Sequence, residues 1–138
     1  MTSDGDVERF TFCLRVSHPT LSADEIETSI AQTAKRKIDA GEIRQTSRGT
    51  PIQGGRPAKE SLCVFPDVEG VADSFGNALQ LAAQTLNGRG DQLDALIASG
   101  GEAQFFVGYF LGPDDTSSGF DICPDTLALL GRLRVRLT

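Results

Sequence analysis

Phe10, Phe12, Leu14 and Val16 alternate with Thr11, Cys13 and Arg15, the two-residue period of a strand with one apolar and one mixed face. After a break at SHPT, Ser22 is followed three residues later by Glu25, the spacing of a capping box. That box predicts a helix whose inward side is a thin stripe of Ile26, Ile30 and Ala34. From Ile43 to Lys59 the chain carries glycines, prolines and cations but no acid. We read 44–59 as a long basic hairpin connection, with strands near Glu42–Ser47 and Lys59–Phe65. After Asp67 the positions Val68, Val71, Phe75, Leu79, Ala82 and Leu86 recur at helical spacing, which predicts an amphipathic helix packed on a sheet. Gly76 inside it costs about 1 kcal/mol against alanine and so points to close packing there. Asn87-Gly88 ends this helix, and Asp91 caps a shorter one with Leu93, Leu96 and Ile97 inward.

In EAQFFVGYFL both faces are apolar: Ala103, Phe105, Val107, Tyr109 and Leu111 on one, Phe106, Gly108 and Phe110 on the other. Such a strand belongs inside a sheet with some cover on each side. Gly112-Pro113-Asp114-Asp115 turns the chain, and GFDI is expected to return as a partner strand. Pro124 suits the first position of a helix holding Leu127, Leu129 or Leu130, and Leu133 inward. The closing RLRVRLT sets Leu133, Val135 and Leu137 against Arg132, Arg134 and Arg136. The order β-α-β-β-α-α-β-β-α-β predicts an α+β two-layer sandwich, a mixed and largely antiparallel sheet with helices on one face.

At 138 residues and 14.7 kDa the chain suits one domain spanning 1–138, with residues 1–7 as a flexible lead-in. A net charge of −6 disfavours nucleic acid and acidic membranes as partners. No apolar run reaches the ~20 residues of a membrane span. The acidic MTSDGDVERF start lacks the basic and apolar regions of a secretory signal. Cys13, Cys63 and Cys123 are odd in number, widely spaced and without a C-x-x-C pair, which fits a reduced cytoplasmic protein.

FTFCLRV, LSADEIETSI, KIDAGE, LDALIASGG and the close FDICPDTLALLGRLRVRLT together resemble the bacterial family known as domain of unknown function 4279. The resemblance spans nearly the whole chain, and it implies the fold and a bacterial origin but no activity and no catalytic residues. The family tends to carry a tryptophan in the strand after the hairpin, where this chain has Leu62-Cys63.

Few residues here could carry chemistry. Acyl transfer by a Ser-His or Cys-His arrangement must run through His18, the single imidazole, which we read as an exposed loop residue. A multi-histidine metal site is ruled out by that count, and Asp114, Asp115 and Asp121 lack EF-hand spacing, so no metal and no cofactor are expected. Gly49–Arg56 has neither the lysine nor the hydroxyl of a P-loop. Charge is more informative. Residues 35–59 hold seven cations against Asp39 and Glu42, a net of +5 that leaves −11 on the remainder. Arg44, Arg48, Arg56 and Lys59 are therefore the candidate site for an acidic partner or anion. A second candidate surface is the sheet face away from the helices, with Arg15, Phe106, Phe110, Arg134 and Arg136. Its cover is either the hairpin arm or a second copy of the chain, with the homodimer slightly favoured. The reading is a non-catalytic protein-binding domain of immunity or adaptor type. Its alternatives are a small enzyme using His18 or a cysteine thiolate, and an anion or nucleotide binder using the hairpin and the open sheet face.

Overall fold

The alternating segment near the start is β1, Arg9–His18, the middle strand of a sheet that has six strands among the described residues. The computed structural model describes residues 8–42, 58–110 and 121–138. Phe10, Phe12, Leu14 and Val16 form the inward row of β1 and are all buried, as the strand period requires. β5, Glu102–Phe110, runs antiparallel along β1 from Ser17 opposite Glu102 to Arg9 opposite Phe110. β6, Val135–Leu137, adds in parallel on the far side of β5. On the other side of β1 lie β3, Ser61–Val64, and then β2, Arg36–Ile38, each antiparallel to its neighbour. The order is β2-β3-β1-β5-β6, and β4, Val68–Val71, pairs with the opening half of β1.

β3 and β4 are two pieces of one interrupted edge. Arg15 faces Val64 and Phe12 faces Val68, so the edge holds one residue more than β1 over the same stretch. Pro66, which has no N–H to give, sits in that bulge, while the Phe65 N–H still donates to the Leu14 carbonyl at 2.9 Å.

Four helices among the described residues form the second layer: α1 Ala23–Ile30, α2 Phe75–Asn87, α3 Gly90–Ala98 and α4 Pro124–Leu133. The capping box is present in full: the Ser22 hydroxyl accepts the Glu25 N–H, and the Glu25 carboxylate accepts the Ser22 N–H. Phe75 opens α2 and meets Phe10 and Phe12 edge-on, with ring centroids 5.2 and 6.0 Å apart. The fold is α+β, with the mixed, mostly antiparallel sheet that the pattern predicts.

Within that class several elements differ from the sequence reading. Val68 and Val71 belong to β4, and α2 starts only at Phe75, because the unpaired edge of β1 takes these β-branched residues as a strand. The partner of β3 away from β1 is Arg36–Ile38 rather than Glu42–Ser47, whose residues 43–47 lie outside the described ones with the rest of 43–57. Lys37 of β2 is held there by Asp24 at 2.8 Å and Glu27 at 3.5 Å on α1. Leu127 points outward at 51% exposure, and Thr126, Leu129, Leu130 and Leu133 are the buried side of α4. Arg134 takes a left-handed φ of 58°, which ends the helix and leaves only Val135–Leu137 as strand. Asp121 and Ile122 of GFDI lie in no strand, while residues 111–120 and the expected lead-in 1–7 are outside the described ones.

Candidate functional site

His18 ends β1 and is 1% exposed, so it is not the loop histidine the sequence suggests. Its Nδ1 accepts the N–H groups of Thr20 and Leu21, each at 3.0 Å, and Nε2 lies 2.8 Å from Ser99 Oγ. A ring nitrogen that accepts two N–H bonds carries no hydrogen, so this network assigns the proton to Nε2, which donates to Ser99. Ser99 Oγ in turn lies 3.0 Å from the carbonyls of Ala95 and Leu96, to which it donates. A base that activates serine must accept its proton, and here the proton already sits between the two. His18 fastens the end of β1 to the end of α3. The backbone must come close for this: a Cβ on Gly101 would lie 3.0 Å from the ring and 2.3 Å from Leu96 Cδ2.

Cys13 on β1 and Cys63 on the neighbouring β3 point to opposite faces of the sheet, Cys63 standing opposite the inward Val16. Cys13 and Cys63 are buried and Cys123 is exposed, all three free. Cys63 donates to the Ala23 carbonyl at 3.1 Å, and burial, reinforced by the Glu27 carboxylate, pushes its thiol up to about 11. It is a thiol, not a thiolate, near neutral pH. Among the described residues no three His, Cys, Asp or Glu side chains gather as a metal site would need.

The sheet face that carries no helix among the described residues assembles a constellation the linear sequence hides. Register places Arg36, Val64, Arg15, Gln104 and Arg136 in one row across β2, β3, β1, β5 and β6. Residues directly opposite share a face, so three arginines stand on one line, about 10 Å apart. In the next row on this face Cys13 faces Phe106, and beyond it Thr11 faces both Gly108 and Glu69. The Arg15 guanidinium carbon lies 4.0 Å from the Phe106 ring centroid, a cation–π contact, and Phe106 remains 42% exposed. Arg15 Nε is buried without a hydrogen-bond partner. A cleft of about 40 Å³, room for one water, lies between Arg15, Glu102, Gln104 and Arg136. Ile38, Cys13 and Val64 on the same face are each 9% exposed or less, so the open part of the face centres on Phe106 and the arginine row.

Of the predicted interface residues, then, Arg15, Phe106 and Arg136 come together. Arg136 is exposed and 3.9 Å from Glu102. Arg134 does not join them: as the cap of α4 it turns to the helix layer and pairs with Asp94 of α3. Phe110 ends β5 opposite Arg9, and its side chain is not among the described ones. Of the basic candidates, Arg44, Arg48 and Arg56 also lie outside them, and Lys59 is exposed just before β3 with no ion pair among the described residues. Lys35 and Lys37 from the same basic stretch are engaged within the chain, Lys35 with Asp67 at 2.8 Å. The Asp24 hydrogen bond and the charges of Asp24 and Glu27 raise the Lys37 ammonium above its ordinary range. Arg36 and Glu69 were missed by the sequence reading, since only strand register reveals that they share a face with Arg15.

Among the described residues no helix is long and apolar enough to cross a membrane. Comparison with family models, with curated proteins and with solved structures finds no match to this chain.

Proposed function

We propose that this chain is a non-catalytic interaction domain that takes an acidic partner surface on the sheet face of Arg15 and Phe106, a second copy of itself in the first instance. The observation that carries the reading is the Arg36–Arg15–Arg136 row beside the half-exposed Phe106. An aromatic anchor rimmed by arginine is the composition of energetically dominant interface residues. The face is also self-complementary. A twofold axis in the sheet plane, perpendicular to the strands and through the Cys13–Phe106 row, reverses the strand direction. It lays the Thr11–Glu69 row of one copy over the arginine row of the other, with Glu69 between Arg15 and Arg36. Membership of the domain of unknown function 4279 family is proposed alongside, supported by the helix α4 and strand β6 that close the chain.

Light scattering at micromolar concentration tests this. The wild type is expected to run above 14.7 kDa. Phe106→Asp should return it to the monomer, and Glu69→Lys should weaken association roughly tenfold or more by placing like charges together. A wild type that stays monomeric at every concentration overturns the self-association and leaves this face to a different acidic partner. The enzymatic alternative using His18 has the tautomer against it; a thiol alkylated rapidly near neutral pH would revive the cysteine version.

A further inference from the structure

A cavity of about 300 Å³ opens into the core between α2 and the broken β3–β4 edge. Its floor is Phe12, Leu14 and Phe105 of the sheet, each 5% exposed or less. Two features make the room. Ala78 and Ala82 present only methyl groups where α2 overhangs the floor, and the bulge at Pro66 breaks the edge that would otherwise close the side. Leu81 and Val68, 66% and 38% exposed, stand at the rim. None of the lining residues is charged. Two are polar. Thr85 donates its hydroxyl hydrogen to the Leu81 carbonyl at 2.9 Å and keeps its lone pairs to accept. The Gln32 carboxamide, half-buried just beyond α1, has no hydrogen-bond partner among the described residues.

Protein interiors hold few voids larger than a water, and an apolar cavity of about 150 Å³ already takes up benzene. We propose that this cavity binds an uncharged small molecule with an apolar body about the size of two fused rings and one hydrogen-bonding group that meets Gln32. A charged group is excluded by the absence of any counter-charge along the walls, since burying an unpaired charge is costly. A small molecule fits better than a protein surface because the site is concave with a fully buried floor, at the small end of the range for ligand pockets. This site lies on the helix side of the sheet and is independent of the interface proposed above.

The test is fluorescence titration of the full chain with 2-naphthol, checked by saturation-transfer NMR. Saturable binding with a Kd of roughly 10–100 μM is expected for a ligand of this size. The 2-naphthoate anion should bind at least about tenfold more weakly. Ala82→Phe, and independently Ala78→Leu, should fill the cavity and abolish 2-naphthol binding while leaving Tm unchanged or higher. If Ala82→Phe does not fold, Ala78→Leu decides. Gln32→Leu should weaken 2-naphthol about five- to tenfold and leave naphthalene unaffected. The proposal is overturned if the wild type shows no saturable binding up to about 1 mM, far above the expected Kd. It is equally overturned if a folded cavity-filling variant still binds. Leu81→Asp splitting an oligomer of a chain that does not take up 2-naphthol would make the cavity the seat of a partner's side chain, and would overturn it too.

Discussion

His18 illustrates how a single residue can serve structure so fully that little is left for chemistry. Both ring nitrogens are engaged, one by two backbone amides and the other by a hydroxyl. His18→Ala would remove a buried, well-packed ring and the acceptor of the part-buried N–H groups of Thr20 and Leu21, at an expected cost of about 2–4 kcal/mol. His18→Asn offers its carboxamide oxygen where Nδ1 stood and should recover part of that loss. Urea denaturation of the three proteins measures the difference, and an Asn variant no better than Ala would show that the two amide bonds contribute nothing. Half of this arrangement is local, an acceptor two and three residues ahead of two amides, and it is ordinary turn chemistry that the reading of His18 as an exposed loop residue passed over. The other half is Ser99, 81 residues away, and no local pattern in the sequence announces it.

At the scale of elements, the strong periodic segments were legible and their ends were not. The Ser22 box and Pro124 both mark helix starts that the structure keeps, because capping and proline act within one turn. Val68 and Val71 fit a helical stripe by spacing and a strand by side-chain type, and the decision fell to the free edge of β1, a tertiary feature. Gly76 is the opposite case. The sequence marked it for close packing, and a Cβ there would lie 2.6 Å from the Asp121 carbonyl oxygen, a backbone atom that cannot swing aside. Gly76→Ala should therefore destabilise by about 1–3 kcal/mol, although the same change in an open helix gains about 1 kcal/mol. Thermal unfolding reads the sign directly: a variant with a higher Tm would mean that Asp121 yields freely.

For the molecule as a whole, the buried Cys63 thiol ties global stability to alkaline pH. Its pKa is about 11 in the folded chain against an ordinary 9.0. The folded state keeps a proton that the unfolded chain surrenders at lower pH. The stabilising contribution is complete below about pH 9 and is lost as pH rises towards 11. Between those values the wild type should lose on the order of 2 kcal/mol more stability than Cys63→Ala, by denaturant titration at a series of pH values. Parallel curves for the two proteins would sink this. The fold class was legible because hydrophobic period separates the long strands from the long helices, even though it misplaces a short element such as β4. The arginine row was not, because it depends on five strands meeting in a particular register. Composition could show that cations cluster between residues 35 and 59, but not that Arg36 would align with Arg15 and Arg136.

The bulge on the β3–β4 edge acts as a phase slip. Pro66 and Asp67 together stand opposite Cys13, and an extended chain repeats every two residues, so everything after them is half a cycle out of step. In step, Glu69 and Val71 would turn towards the aromatic core, and Val68 and Gly70 towards the arginines. The slip instead delivers Glu69 to the cationic side and leaves beside Phe10 a glycine, where a Cβ would lie 3.1 Å from the ring. It also carries Val68 to the mouth of the cavity on the helix side. Short surface connections commonly tolerate a residue gained or lost, but this one does not behave as a connection. Its length is a parity bit: one residue more or fewer between Phe65 and Val68 would exchange what the edge shows to its two sides.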